Sequence, residues 1–336
     1  MAYFASRMKQ DMPCDVQLRR FPGWYGRSRS RVQALWRALV VRYLSLDLRP
    51  SDVFFFMEYL GGRMAGDHRA IALELRARGM TNRIVGLVHL SPQMLCTLYE
   101  RDYIRSALET VDQVIVFGNS LAGFFTGSGY GAKVRQTFHY VDTDYYRPHA
   151  DSRQPGDFTV ITMGSLGRNR EQLREIIEAC TDVQFDICMG KAELEPFFTG
   201  LSNVRLHRFL TEANLLRLMQ RADVSLSVLQ DTIGSNVIVT SLACGIPQVV
   251  SDVGSIHDYC SAENAIFCRD TGDFIAALRL LKNQPELRKR MGENARRKAE
   301  EFSLEKSIRW FRDFFLQEAD SQACCPIINN SLPIKR

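Results

Sequence analysis

From residue 50 onward, short runs of β-branched and aromatic residues alternate with stretches whose apolar residues recur at helical spacing. This alternation predicts parallel β-sheets covered by helices, because a parallel crossover needs a connection long enough to hold a helix. The predicted strands of the first half are 53–57, 84–88, 113–117 and 136–140. Those of the second half are 158–163, 184–189, 203–207, 223–228 and 248–250.

A polar stretch that contains Pro148 and Pro155 separates the two halves and has no apolar periodicity. We therefore expect a first domain over residues 1–145, a linker over 146–157 and a second domain over 158–302. A helix over 303–318 is expected to pack back toward the first domain, and the tail 319–336 to be disordered. Such a pair of α/β domains binds its ligand at the carboxyl ends of the strands, as dehydrogenases, binding proteins and nucleotide-sugar transferases do.

The composition is that of an ordinary globular protein, with 46% hydrophobic and 24% charged residues. No apolar stretch approaches the roughly 20 residues that a membrane-spanning helix needs, and the first residues lack the pattern of a secretion signal. The nine cysteines are scattered, without a C-x-x-C pair or another metal-binding spacing. We expect reduced thiols, a cytoplasmic location and no bound metal.

Residues 1–49 carry ten Lys or Arg against three Asp, a net charge of +7 in a chain whose total is +5. Aromatic side chains such as Trp24 and Trp36 are interleaved with these charges. Two interpretations fit the segment: a solvated basic helix, or a surface that binds anionic lipid headgroups and holds the protein at the inner face of the membrane. Nucleic acid is not an expected partner, because no nucleic-acid-binding motif accompanies the charge.

The turn after predicted strand 158–163 is the first candidate binding site. Gly164 and Ser165 begin a strand-to-helix connection, whose backbone N–H groups and helix dipole suit a phosphate group. Arg168 and Arg170 would add positive charge for a diphosphate, although the same residues also fit an ordinary exposed loop. The spacing departs from G-x-G-x-x-G, which disfavours a nicotinamide-dependent dehydrogenase.

The segment from Asp231 to Thr240 is the second and stronger candidate. Ser235 is a suitable N-cap for an apolar helix, so Gly234, Ser235 and Asn236 are expected to direct backbone N–H groups at a ligand. The missing side chain at Gly234 would let that ligand approach the backbone. Asp231 would accept hydrogen bonds from sugar hydroxyls, and Thr240 would reach the same ligand from one helical turn further on.

Residues 226–256, taken together, resemble the signature of the retaining group 1 glycosyltransferases, of the family 4 type with the GT-B fold. That family shows E-G-F-G-x-x-x-x-E, then A-x-A-C-G-x-P and S-D-x-G-G. The similar segments here are Asp231-Thr232-Ile233-Gly234, Ser241-Leu242-Ala243-Cys244-Gly245-Ile246-Pro247 and Ser251-Asp252-Val253-Gly254-Ser255. Residues 114–120, 141–148, 210–215 and 221–224 are similar to further family motifs, so the resemblance covers roughly residues 50–318.

The resemblance implies a role for each matched residue of the second half. Ser165 stands where the family usually has an arginine that contacts the donor diphosphate, and Arg170 where it has a lysine. Asp231 corresponds to the glutamate that binds donor-sugar hydroxyls. Thr240 corresponds to the glutamate that holds the nucleotide ribose. Asp231 and Thr240 are nine residues apart, whereas the two glutamates of the family motif are eight apart.

The same resemblance implies two Rossmann-like domains that face each other across a cleft. Residues 1–145 would form the acceptor-side domain, with an atypical basic start over 1–49, and residues 158–302 the nucleotide-sugar-binding domain. His89 is similar to the family's first-domain histidine near the reacting sugar, where it would orient the donor. Asn119 is assigned to the acceptor side.

The implied reaction is the transfer of a sugar, with retention, from a nucleoside-diphosphate sugar to a polysaccharide or lipid-linked glycan of the cell envelope. Neither a metal nor a cofactor is expected, because arginines and a helix dipole would stabilise the leaving diphosphate. Two departures keep alternatives open: both family glutamates are replaced, and the family's opening glycine loop is not recognisable in residues 1–50. The alternatives are a catalytically inactive sugar-nucleotide-binding partner of a glycan-assembly complex and an epimerase of the same fold.

Overall fold

A computed structural model describes residues 2–11, 16–19, 31–46, 48–61, 68–149, 158–188, 190, 192–316 and 326–329. Its β-strands are β1 (Gln17–Arg19), β2 (Val53–Phe56), β3 (Arg83–Val88), β4 (Gln113–Phe117), β5 (Val134–Thr137), β6 (Thr159–Met163), β7 (Gln184–Cys188), β8 (Val204–His207), β9 (Val224–Ser227), β10 (Gln248–Ser251), β11 (Ala265–Cys268) and β12 (Pro326–Asn329).

Helices connect and cover these strands. They are α1 (Ala2–Asp11), α2 (Arg31–Leu44), α3 (His68–Ala77), α4 (Pro92–Leu98), α5 (Arg101–Thr110), α6 (Asn119–Phe125), α7 (Arg170–Ala179), α8 (Glu195–Phe198), α9 (Glu212–Arg221), α10 (Asn236–Ala243), α11 (Ile256–Tyr259), α12 (Thr271–Asn283), α13 (Pro285–Ala299) and α14 (Leu304–Leu316). No helix in the described ranges is long and apolar enough to cross a membrane.

The chain divides into two compact units, each built around one parallel six-stranded sheet. Unit 1 consists of Met1–Phe138 and Glu305–Arg336, and unit 2 of His139–Leu304. The strand order is β1-β12-β2-β3-β4-β5 in unit 1 and β11-β10-β9-β6-β7-β8 in unit 2. The predicted α/β class with two parallel sheets is confirmed.

The nine predicted strands are all present, eight of them within one residue at each end. The exception is β5, which lies two to three residues before the predicted 136–140. Strands β1, β11 and β12 were not predicted, and the expectation of a disordered tail over 319–336 is wrong for residues 326–329. All four residues pair with β2 and the last three also with β1, with Ile327 opposite both Gln17 and Phe54. The rest of that predicted tail, 319–325 and 330–336, lies outside the described residues.

Aromatic side chains form the core of unit 1 around β2, whose four residues are all buried. The ring of Phe55 lies 5.8 Å from that of Phe311 and 5.3 Å from that of Phe315, and Phe311 also contacts Phe4 at 5.0 Å. Burial of such rings contributes several kcal/mol in total, at about 2 kcal/mol for each large apolar side chain. Helix α14 is thereby anchored in unit 1, although most of the chain before it belongs to unit 2.

The boundary of unit 2 lies at His139, not after residue 145 as predicted. Its first segment is held by Arg296 of α13, whose Nη1 donates to the carbonyl oxygens of Thr143, Tyr146 and Ala243 at 3.0, 2.9 and 3.0 Å. These bonds satisfy carbonyls of an irregular segment and of the end of α10. Residues that the sequence assigns to the first domain and the linker are therefore part of unit 2, while 150–157 lie outside the described residues.

Candidate functional site

The loops that follow β6 and β9 are joined side by side at the carboxyl ends of these neighbouring strands. The backbone N–H of Asn169 donates to the carbonyl of Val228 at 3.1 Å, and that of Gln230 donates to Gly167 at 2.9 Å. The structure thus brings together the two segments that the sequence singled out separately. Ligands bind α/β sheets at this edge.

Arg168 carries a buried positive charge in the first of these loops. Its Nη2 donates to the carbonyl oxygen of Met163 at 2.7 Å, whereas its Nε and Nη1 are buried without a hydrogen-bond partner among the described residues. Burial lowers the pKa of the guanidinium to about 10, so it stays protonated at neutral pH. A buried cation without a counter-charge is costly, and an anion bound nearby would supply that charge.

Gly164 lies between this guanidinium and the first turn of α10. Its φ is +76°, and an added Cβ would lie 3.6 Å from Val237 Cγ2 and 4.0 Å from Arg168 Nη2. Helix α10 begins after Ser235, whose hydroxyl oxygen accepts from the N–H of Ile238 at 3.3 Å. The positive end of a capped helix and a buried guanidinium therefore flank one glycine, an arrangement that suits a phosphate group.

Gly234 is required by packing within unit 2. Its φ is +84°, and an added Cβ would lie 2.0 Å from Cε2 of the buried Tyr259 ring. Its N–H donates to the hydroxyl of Thr232 at 2.9 Å, so the expectation of a free N–H at Gly234 is wrong. By helix geometry, the N–H groups at the start of α10 that have no partner within the helix belong to Asn236 and Val237.

The Asp231 carboxylate is held against the loop after β10. Its Oδ1 accepts from the N–H of Thr232 at 2.8 Å, and the carbonyl of Thr232 accepts from Ser255 N at 2.8 Å. An added Cβ at Gly254 would lie 2.6 Å from Asp231 Oδ1 and 2.1 Å from the Thr232 oxygen. Gly254 thus lets the two loops meet, and its place in the S-D-x-G-S motif was the signal that could have assigned it this role.

Thr240 lies half-buried on α10 and donates its hydroxyl proton to its own helix. The Oγ1 atom is 2.6 Å from the carbonyl oxygen of Asn236 and 3.2 Å from that of Val237. A hydroxyl has one proton and two lone pairs, so Thr240 can still accept from a ligand but not donate to it.

Arg170 and Ser165 flank the buried guanidinium along the chain. Arg170 is the first residue of α7, and its guanidinium carbon lies 5.3 Å from the ring centroid of Phe197 in α8, a cation–π contact. Ser165 follows Gly164 and is half-buried. Of the two arginines predicted to bind a diphosphate, it is Arg168 that borders Gly164 and α10.

His89 belongs to unit 1 and follows β3. Its Nε2 lies 2.8 Å from the carbonyl oxygen of Met57 and therefore carries the proton, since a carbonyl can only accept. The imidazole also contacts the Phe117 ring, with centroids 5.1 Å apart. Burial lowers the pKa of His89 to about 4, so the ring is neutral at neutral pH.

Asn119 is the exposed first residue of α6, directly after Gly118 at the end of β4. Because β3 and β4 are neighbours in the sheet, Asn119 and His89 lie at the same edge of unit 1. They are parts of a different unit from Arg168 and Asp231.

Two further residues support the loops of unit 2, although the sequence analysis assigned neither of them a role. The hydroxyl oxygen of Ser251 accepts from Leu229 N at 2.7 Å and ties the loop after β9 to β10. Tyr259 covers Gly234, and its hydroxyl accepts from the N–H of His139 at 3.1 Å. Ser251 opens the S-D-x-G-S motif, whereas no sequence signal points to Tyr259. No group of three His, Cys, Asp or Glu within the described ranges could hold a metal ion.

Residues 168–309, less than half of the chain, match a family model described as Glycosyl transferase-like. Sucrose-phosphate synthase from Thermosynechococcus elongatus has a similar structure, with a TM-score of 0.68 and 14% identity over 84% of this chain and 77% of that one. Anabaena HepE in complex with UDP-glucose has a TM-score of 0.67 and 15% identity, over 86% of this chain and 84% of that one. The fold is that of the GT-B glycosyltransferases.

A TarM variant from S. aureus, in complex with UDP and alpha-GlcNAc-glycerol, extends this set of GT-B structures. It gives a TM-score of 0.65 and 16% identity, over 84% of this chain and 59% of that one. No curated protein matches the chain. Residues 168–309 thus resemble a glycosyltransferase family, and the chain as a whole has the GT-B fold.

Proposed function

We propose that the chain transfers a sugar, with retention and without a metal ion, from a nucleoside-diphosphate sugar to a polysaccharide or lipid-linked glycan. The observation that carries the proposal is the buried Arg168 guanidinium beside Gly164 and the first turn of α10. A diphosphate at this point would provide the counter-charge that Arg168 lacks in the described structure.

The leaving diphosphate gains negative charge as its bond to the sugar breaks. Arg168 and the positive end of α10 would stabilise that charge, and both are fixed in advance, Arg168 by the Met163 carbonyl and α10 by its Ser235 cap. These groups would supply the positive charge that a metal ion gives in other transfer reactions, which supports the metal-independent form of the proposal.

Asp231 and His89 are proposed to act on the sugar. The carboxylate of Asp231 would accept hydrogen bonds from sugar hydroxyls and hold the ring in line for reaction. His89 would orient the donor as a neutral imidazole. A pKa near 4 makes it a poor general base for an acceptor hydroxyl, which fits a role in orienting the donor.

The test incubates the full chain with a panel of nucleotide sugars and glycan acceptors, and follows nucleotide release and the anomeric configuration of the product by NMR. We expect a product with the configuration of the donor and no loss of rate with a metal chelator. Asp231→Ala should lower turnover far more than it weakens binding of the bare nucleotide, because only the sugar loses its partner. An inverted product would contradict retention, and unchanged transfer by Asp231→Ala would remove Asp231 from the site.

A second candidate function is an inactive sugar-nucleotide-binding partner of a glycan-assembly complex. It is favoured by Thr240, a hydroxyl engaged with its own helix at the position where the resembled family has a carboxylate. Saturable donor binding without nucleotide release, with or without acceptors, would select this function. Thr240→Glu tests the position itself: in a ribose site it should tighten nucleotide binding, whereas away from one it should leave binding unchanged.

A further inference from the structure

Helix α2 exposes a continuous stripe of large apolar side chains. Val32, Leu35, Leu39 and Tyr43 recur at spacings of three and four residues, which places them on one face, and Leu46 follows the helix. Each of these five side chains is between 42% and 62% exposed. They are five of the eleven large hydrophobic residues that are exposed in the described part of the chain, so the stripe is a local concentration.

The carboxyl-terminal part of α2 packs inward, with Val40, Val41 and Leu44 buried on the opposite face. The end of the helix is held by Arg19, a buried side chain whose guanidinium donates to the carbonyl oxygens of Tyr43 and Leu44 at 2.5 and 3.1 Å. Cations at a helix carboxyl end are stabilising. The helix is therefore fixed with its apolar stripe outward.

Positive charge accompanies the stripe. Arg42 is exposed next to Tyr43, and Arg49 is exposed three residues after Leu46. In the sequence, the segment 1–49 that contains α2 carries a net +7, of which Arg19 is used internally. A second copy of the chain would bring the same cations against each other, whereas an anionic surface would attract them.

We propose that α2 docks the protein on an anionic lipid bilayer. Leu35 and Leu39 would enter the boundary between headgroups and acyl chains, while Arg42 and Arg49 would meet the lipid phosphates. Fourteen residues of helix span about 21 Å, a length that suits a helix lying in the plane of the surface. The inference rests on this surface alone and is independent of the proposed sugar transfer.

The experiment is co-sedimentation of the full chain with vesicles of phosphatidylglycerol and phosphatidylcholine in equal parts, or of phosphatidylcholine alone. We expect pelleting with the anionic vesicles, weaker at high salt, and none with phosphatidylcholine. Leu35→Ser with Leu39→Ser should weaken binding at least tenfold. Arg42→Gln with Arg49→Gln should weaken it about 30-fold, because each basic residue near an anionic surface contributes about 1 kcal/mol.

The matched control is Leu98→Ser with Leu280→Ser, two leucines that are also exposed on helices but lie outside α2. It should bind vesicles as the wild type does, and circular dichroism establishes that all variants are folded. Absence of pelleting with anionic vesicles at low salt would overturn the proposal, as would wild-type binding by the Leu35 and Leu39 variant. A change from dimer to monomer in that variant, with vesicle binding unaltered, would show instead that a second copy covers the stripe.

Discussion

Units 1 and 2 contain parallel sheets of the same size but differ in how the chain builds them. The sheet of unit 2 comes from one continuous stretch, whereas that of unit 1 takes β1 and β12 from near the two ends of the chain. At the carboxyl edges, unit 2 presents a buried guanidinium beside glycine turns, and unit 1 presents a neutral histidine. Unit 2 therefore carries the positive charge on which the proposed diphosphate site depends, whereas unit 1 is built from distant segments and contains buried neutral groups.

The largest effect is expected from Ile328→Pro in β12. This strand lies between β1 and β2, and a proline there removes a ladder donor in the interior of the sheet. We expect a loss of about 5 kcal/mol in the stability of unit 1, because the pairing of β12 with both neighbours fails and each ladder bond contributes about 1 kcal/mol. Calorimetry would record the midpoint of unfolding.

Ile328→Val, which keeps the backbone N–H, is the control for this substitution and should cost no more than about 1 kcal/mol. A wild-type midpoint for Ile328→Pro would mean that unit 1 does not depend on the strand from the end of the chain.

Acid should destabilise unit 1 through His68 and His89. Burial lowers the pKa of each to about 4, so the unfolded chain takes up a proton near pH 6.5 before the folded chain does. Stability conferred by the two neutral rings is thus lost as the pH falls from about 6.5 to about 4. Between pH 7 and pH 5 we expect a loss of about 2 kcal/mol for each histidine, about 4 kcal/mol for the pair.

Urea unfolding at the two pH values measures this loss. His89→Gln keeps a donor for the Met57 carbonyl and should remove about half of the pH dependence. A pH dependence that persists unchanged in both His89→Gln and His68→Asn would assign it to other groups.

Gly234→Ala tests the packing of unit 2 and should cost about 3 kcal/mol. The new methyl group would meet the buried Tyr259 ring, and the left-handed backbone adds strain. Gly200→Ala is the matched control, because Gly200 has a φ of +88° but nothing within 4 Å of its added Cβ. Thermal unfolding should show a clearly smaller loss for Gly200→Ala, and equal losses would mean that the Tyr259 contact contributes nothing.

The sequence could predict what depends on neighbours along the chain. Gly164 and Arg168 lie in the turn that follows β6, and Ser235 caps α10, as the local sequence pattern predicted. The packing role of Gly234 could not be predicted, because the Tyr259 ring that needs the glycine comes 25 residues later.

Strand β12 was missed because four residues are too few to show alternation and their partners lie near the start of the chain. The exposed face of α2 is a similar case, since the helical spacing of its leucines does not reveal which side is covered. Contacts between residues distant in the sequence determine both the pairing of β12 and the exposed face of α2, and no local sequence pattern predicts such contacts.

The central claim, that unit 2 holds a diphosphate through Arg168, is tested most directly by calorimetric titration of Arg168→Met with nucleoside diphosphates and the corresponding nucleosides. Loss of a charged partner should weaken diphosphate binding by about 2 kcal/mol, roughly 30-fold, while nucleoside binding stays within about twofold. Arg217→Met, at an exposed position of α9, should bind both as the wild type does. Wild-type diphosphate affinity in a folded Arg168→Met protein would contradict the account.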